Sequence, residues 1–403
     1  MKVLEELSAQ TTQVAERAAP RVDAVDERQG LTRALDALAE AKLLGWCVPA
    51  RFGGADTGGL VDEDEVSVRG LCAVRRVLAY HSGMLDVAFV MQGLGSYSVA
   101  RAGSDELTEQ VFPGVLAGKA IAAFALTEPG AGSSLGEIDT RAERSTKPQP
   151  GQGVWNLRGH KTFISNAGVA EFYTVLARTS GEPGDRDSDD AFTMFHVPAA
   201  TRGLEIKPFE VIAPHPIGEV LFNDVRVDDS HRLGEVGGGL EVALATLNRF
   251  RTSVAAAACG FARRALDESI EHLGERRQFG RPLSAFQGLR FDVAEMDTRL
   301  RAAELLVDEA AAAVDADGDS TREVARAKLF ATETASWICD RAVQHLGGRG
   351  VRRGEIVERL FREVRALRIY EGTSEVQKLI LAKSLFDSRA QDNRAPDNKG
   401  AKA

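Results

Sequence analysis

The segment Tyr370-Glu371-Gly372-Thr373-Ser374-Glu375-Val376-Gln377 sets one carboxylate on a loop, beside a flexible glycine and just ahead of a helix start. Ser374 and Gln377 have capping-box spacing, so a helix is predicted from about Glu375 to Phe386. The N-terminus of such a helix can receive a cofactor oxygen. Enclosed against apolar surroundings, a carboxylate such as that of Glu371 would become more basic. A lone loop glutamate is more often solvated than catalytic, so the segment alone does not decide the matter.

Four other segments carry groups that could hold a ligand. Phe124-Ala125-Leu126-Thr127-Glu128-Pro129-Gly130-Ala131-Gly132-Ser133-Ser134 joins closely spaced glycines, which let backbone N–H groups approach a ligand, to three hydroxyls. A plain turn between strands would look the same. Gly159 to Gly168 places Phe163 and Ser165 two residues apart, on one face if the segment is a strand, as a flat apolar wall beside a hydrogen-bonding group. A half-buried core strand is the alternative. Glu275-Arg276-Arg277-Gln278-Phe279-Gly280-Arg281-Pro282-Leu283, followed by Phe286 and Gln287, ends a helix with arginines. Their planar forks suit a pyrophosphate, although arginine there also complements the helix dipole. Gln344-His345-Leu346-Gly347-Gly348-Arg349-Gly350 stops another helix, as a glycine C-cap or as a phosphate or ribose contact.

Elements must position these groups. The 403 residues suggest two or three domains, and 44% hydrophobic with 27% charged residues is an ordinary globular composition. Residues 1–120 read as a helical domain, with Leu31, Leu35, Leu38 and Leu43 near helical period and a loop at Phe52-Gly53-Gly54 and Thr57-Gly58-Gly59. Residues 121–235 read as a compact β domain with strands at Val154 to Leu157, Thr162 to Ser165, Phe172 to Leu176, Phe192 to Val197 and Val220 to Val227. Its acidic insert, Gly181 to Asp190, reads as a solvated hairpin loop.

Residues 236–387 read as a helical bundle, with helices over Leu240 to Leu273, Phe291 to Val314 and Thr321 to Leu346, closed by the last helix. Asp315, Asp317, Gly318 and Asp319 form a plain interhelix turn in this reading, and residues 388–403 a polar, disordered tail.

The net charge of −9 argues against bulk nucleic-acid binding. Cys47, Cys72, Cys259 and Cys339 are too dispersed to suggest a zinc site or a disulfide framework. The first residues lack a signal-peptide core, and no apolar run approaches the ~18 residues of a membrane span. A cytoplasmic protein is expected.

Taken together and in order, these segments resemble the acyl-CoA dehydrogenase family, from the Val48-Pro49-Ala50-Arg51-Phe52-Gly53-Gly54 loop through Leu385. The resemblance implies an α+β fold: an N-terminal helical domain, a middle β-barrel-like domain and a C-terminal four-helix bundle. It also implies a homotetramer, or a homodimer, with one FAD per subunit. By that likeness Phe124, Leu126, Thr127, Phe163 and Ser165 would line the isoalloxazine, and Thr373 and Glu375 would complete the flavin site. Arg276, Gln278, Phe279, Gln287, Gln344, Gly347 and Gly348 would meet the pyrophosphate and adenosine, partly from a neighbouring subunit. Ser133, Arg251 and Gly372 would meet the acyl-CoA.

Glu371 matches the usual catalytic base. Some relatives carry the base one residue before the matching arginine, where this chain has Phe250, which accepts no proton. The implied reaction is α,β-dehydrogenation of an acyl-CoA to a trans-2-enoyl thioester, with an electron-transferring flavoprotein as acceptor. Ser134 stands where aspartate is common and Phe163 where tryptophan is common, and Ile212-Ala213-Pro214-His215-Pro216 is unusual before its strand. These departures leave open the acyl chain and a substrate on an acyl carrier protein. Separate alternatives are an acyl-CoA oxidase on the same fold and a non-catalytic, DNA-associated flavoprotein, which the acidic chain and Glu371 disfavour.

Overall fold

The computed structural model describes residues 2–145, 153–185 and 189–392. Five helices come first: α1 (Lys2–Val22), α2 (Glu27–Glu40), α3 (Val68–His81), α4 (Gly83–Ala102) and α5 (Asp105–Leu116). Small polar residues start four of them, since Asp26, Ser67, Ser82 and Ser104 each accept a backbone N–H of the first turn. α4 is apolar nearly all round and buried through most of its length, which makes it the core of this domain.

The middle domain is one mixed sheet built from β1 (Ala122–Ala125), β2 (Arg141–Arg144), β3 (Val154–Ser165), β4 (Phe172–Arg178), β5 (Phe192–Pro198), β6 (Leu204–Pro208), β7 (Ile217–Asp228) and β8 (Arg232–Leu233). Its order is β6-β7-β3-β2-β4-β5-β8, with β1 parallel to β4. Thr162 to Ser165 and Val154 to Leu157, expected as two strands, are one strand whose register with β7 shifts between Lys161 and Ile164. β1 was not expected: it reads Ala-Ala-Phe-Ala, without β-branched residues, and is a strand because it is buried along its whole length between α4 and the sheet.

The bundle comprises α6 (Gly239–Glu275), α7 (Gln287–Asp315), α8 (Thr321–Leu346), α9 (Ile356–Leu367) and α10 (Ser374–Asp392). α3 shares its apolar core, contributing Val68, Cys72 and Ala79. Asp315 is more than part of a turn. Its carboxylate, with no exposed side-chain surface, accepts Val68 N–H at 2.7 Å, the Ser67 hydroxyl at 2.8 Å and Arg69 Nε at 2.8 Å, tying the end of α7 to the start of α3.

The short helix α9 was also not expected, although Val357, Leu360, Val364 and Leu367 repeat at helical spacing and are buried. α10 runs to Asp392, past the expected start of a disordered tail at Ser388. The rest of that expected tail, 393–403, and part of the acidic insert, 186–188, lie outside the described residues.

Candidate active site

After α9 the chain turns sharply: the N–H groups of Ile369 and Tyr370 both donate to Ala366 O, at 2.9 and 3.2 Å. Glu371 then adopts φ 52° and Gly372 φ 92°. The left-handed region is strained for a glutamate, and such strain persists only where the surroundings enforce it. Here two cations hold the peptide. Arg251 Nε, on α6, donates to Glu371 O at 2.8 Å, and Lys328 Nζ, on α8, donates to Gly372 O at 2.6 Å. Gln377 Nε2 adds a bond to Gly372 O at 3.1 Å.

Thr373, rather than Ser374, caps α10, because its hydroxyl accepts Val376 N–H at 3.2 Å. The capping-box register expected from Ser374 and Gln377 is therefore one residue late. The Ser374 hydroxyl instead donates to Glu333 Oε1 at 2.6 Å. Glu375 is exposed in the first turn.

Glu371 keeps some exposed surface, but its Oε2 is sealed from solvent and has no hydrogen-bond partner among the described residues. Burial raises the pKa of Glu371; Arg75, Arg251 and Lys328 pull the other way, and Asp86 adds to the rise. The same burial lowers Lys328 to about 8. Arg75 and Asp86 form a fully enclosed bidentate pair with both contacts at 2.7 Å, and Arg75 Nη1 also donates to Ser253 Oγ at 2.9 Å. Asp86 thus offsets part of the charge Arg75 projects onto Glu371. Arg75, Asp86 and Lys328 were missed from sequence, because a charge on an amphipathic helix ordinarily reads as a solvated face. Phe250 is completely buried against Gly93 of α4 and edge-on to Tyr97 at 5.7 Å.

The second cluster lies in the sheet domain. Phe163, at φ 55°, sits at the register shift of β3, which throws its ring outward and leaves it 62% exposed. Ser165, two residues on, is half-buried. The Phe124 to Ser134 segment is bound to this bulge: Thr162 N–H donates to Thr127 O at 2.9 Å and Lys161 Nζ to Leu126 O at 2.9 Å. Lys161 also bridges to Glu128 at 2.7 Å, and Glu128 accepts the N–H groups of Asp139 and Thr140. Burial lowers Lys161 to about 8; burial would raise Glu128, but the ammonium and these donors hold it below its ordinary range. Phe124, Leu126, Thr127, Phe163 and Ser165 are thereby brought together, while Ser133 is exposed on the connecting loop.

Arg276, Gln278, Phe279 and Gln287 lie at a hairpin between α6 and α7, all exposed, with Phe279 90% exposed. Gln344, Gly347 and Gly348 are exposed at the end of α8. The two groups are neighbours, since His272 feels the charges of both Arg276 and Arg349. A Cβ at Gly348 would meet nothing within 4 Å among the described residues, so none of them demands glycine there. Arg362 of α9 donates to Ile212 O at 2.7 Å and so ties the sheet domain to the helix that leads into Glu371.

Comparison with known proteins points one way. Residues 4–119, 123–225 and 237–386 match the family models "Acyl-CoA dehydrogenase, N-terminal domain", "middle domain" and "C-terminal domain". Benzylmalonyl-CoA dehydrogenase of Aromatoleum aromaticum is 38% identical over 374 residues, 92% of this chain and 94% of that protein. Subunit CarC of the caffeyl-CoA reductase-Etf complex of Acetobacterium woodii is 36% identical over 291 residues, 70% of this chain and 73% of that protein. A glutaryl-CoA dehydrogenase from Mycobacterium smegmatis, solved in complex with FADH2, superimposes with TM-score 0.83 at 26% identity, covering 95% of this chain and 94% of its own. Among the described residues no helix is long and apolar enough to cross a membrane.

Proposed function

The chain belongs to the acyl-CoA dehydrogenase family, and from that premise we propose that it oxidises an acyl-CoA, or a related acyl thioester, to the trans-2-enoyl thioester with Glu371 as the base. The observation that carries this reading is the unpartnered, sealed Oε2 of Glu371. A buried carboxylate oxygen that bonds to nothing among the described residues is unspent, and desolvation makes it basic.

The residues present fit a flavin. Phe163 offers an exposed aromatic face held outward by a strained bulge, with a hydroxyl at Ser165 beside it, Thr127 and Leu126 bonded in behind through their carbonyls, and Phe124 on the adjoining strand. Thr373 and Glu375 would close the flavin site from the start of α10. Arg276, Gln278, Phe279, Gln287, Gln344, Gly347 and Gly348 would hold the pyrophosphate and adenosine. Their exposure in the single chain is consistent with a share taken by a neighbouring subunit, as is the exposure of Phe291, Leu379 and Phe386. A homotetramer, or a homodimer, follows from this reading. Bound FAD supplies the acceptor for the β-hydride, which no side chain can provide.

The chain's own part is acid–base and positional. Arg251 and Lys328 pin the successive carbonyls of Glu371 and Gly372, which restricts where the carboxylate points. Ser133 and Gly372 would meet the thioester ligand, and a backbone N–H would hold its carbonyl oxygen as charge develops. The two neighbouring cations favour that charge as well. An electron-transferring flavoprotein is the proposed acceptor, in keeping with the Etf-linked relative.

The deciding experiment is to purify the protein with FAD, record its visible spectrum and add a panel of acyl-CoAs without oxygen. Bound flavin that bleaches with at least one acyl-CoA is expected. A protein that takes up no flavin, or whose flavin stays oxidised across the panel and with the same acyl groups on an acyl carrier protein, overturns the reading. Rapid peroxide formation in air would convert it to an oxidase.

A further inference from the structure

Ser165 and the unusual Ile212 to Pro216 loop meet. Ser165 Oγ lies 3.0 Å from Nε2 of His215, and the other ring nitrogen, Nδ1, lies 2.9 Å from Ala213 O. A carbonyl oxygen only accepts, so Nδ1 carries the hydrogen. In the neutral imidazole Nε2 is then a bare acceptor, and the one hydrogen that can fill the 3.0 Å contact is the Ser165 hydroxyl's. Burial disfavours the charged ring, in keeping with that neutral form.

The loop is held in place. Arg362 Nη1 donates to Ile212 O at 2.7 Å, Asn166 N–H to Pro216 O at 2.7 Å, and Phe209 packs edge-on against Phe163 at 5.2 Å. Pro214 and Pro216 flank the histidine and restrict its backbone further.

We propose that His215 is a positioning residue which, by taking the Ser165 hydrogen, makes that side chain a hydrogen-bond acceptor only towards the flavin edge. The inference rests on the reading that Phe163 and Ser165 form the flavin wall. Its consequence follows from flavin chemistry. N5 is a bare nitrogen in the oxidised ring and an N–H in the reduced one. Were N5 the edge atom that faces it, a serine that can only accept would have nothing to give the oxidised ring but would take the hydrogen bond of reduced N5–H. His215 therefore biases the bound cofactor towards its reduced form, at a position where a serine free to rotate would donate to the oxidised form instead. The size is that of one hydrogen bond exchanged in a partly desolvated site, about tenfold in the ratio of reduced to oxidised flavin. For a two-electron couple that is about 30 mV.

The test is the midpoint potential of the FAD-loaded protein, measured by anaerobic spectroelectrochemistry, which requires no turnover. His215→Phe should lower the reduced-to-oxidised ratio about tenfold, because the ring keeps its bulk but loses its acceptor. His215→Gln, whose amide oxygen can still accept the serine hydrogen, should stay near wild type. In a Ser165→Ala background His215→Phe should change nothing further. An unchanged potential in His215→Phe, or an equal shift with and without Ser165, overturns the inference while leaving the flavin reading intact. Failure of the wild-type protein to take up FAD overturns both.

Discussion

Replacing Glu371 by glutamine preserves size and shape and removes the ability to take a proton. Oε2 has no hydrogen-bond partner among the described residues, so the exchange breaks no bond to them at that atom. The electrostatic consequence has a definite sign. Burial lifts the pKa of Glu371 above its ordinary 4.5, against Arg75, Arg251 and Lys328. A carboxyl that holds its proton better folded than unfolded costs nothing while both states are protonated. It costs about 1.4 kcal/mol for each unit of the rise once both are ionised. Glu371→Gln should therefore melt with the wild type near pH ~4 and above it at pH ~8, the gap opening as pH climbs through the raised pKa. Over the same range the rate of anaerobic flavin bleaching by a good substrate should fall by about 10²–10⁴-fold, the usual worth of a general base. Melting curves at the two pH values and stopped-flow bleaching read both effects. A variant less stable than wild type at the higher pH would mean that the carboxylate is anchored rather than poised. A variant that bleaches at near-normal rate would remove Glu371 as the base.

Three further outcomes are expected. Arg251→Met loses the 2.8 Å bond to Glu371 O and lets the strained peptide relax, so bleaching should slow by about tenfold or more with flavin retained; unchanged kinetics would show that Lys328 alone positions the carboxylate. Asp86→Asn leaves Arg75 charged and enclosed, at a cost of about 3–5 kcal/mol, seen as a large drop in melting temperature that the double exchange Arg75→Met, Asp86→Leu should largely recover. A small drop would mean that Ser253 and water suffice for the guanidinium. Phe163→Ala should weaken FAD binding by up to about tenfold in equilibrium dialysis, while Phe163→Trp should hold it at least as well as wild type. Equal affinities for all three would argue that the exposed ring is not the flavin wall.

The fold was legible where periodicity was strong. α8 was predicted over Thr321 to Leu346 and runs over those residues, and the starts of β4 and β5 were readable from their apolar runs. β1 was not, because alanine has no strand preference and becomes one there only through enclosure on both sides. α9 was missed for a different reason. Its pattern is amphipathic, but it follows the glycine- and arginine-rich stretch Gly350 to Gly354, which reads as a continuing loop.

Motif order along the chain, read as a family resemblance, was enough to nominate Glu371, Phe163 and Ser165, whose local marks alone also fit a solvated loop and a core strand. The positive φ of Glu371 and Phe163, the Arg75–Asp86 pair, the Arg251 and Lys328 bonds to the successive carbonyls of Glu371 and Gly372, and the Ser165–His215 contact leave no such marks. Arg251 stands 120 positions from Glu371, and His215 stands 50 from Ser165. Hydrogen bonds and desolvation act over a few ångströms of space whatever the separation in sequence, so only the packed chain decides which charges are enclosed together and which proton each one holds.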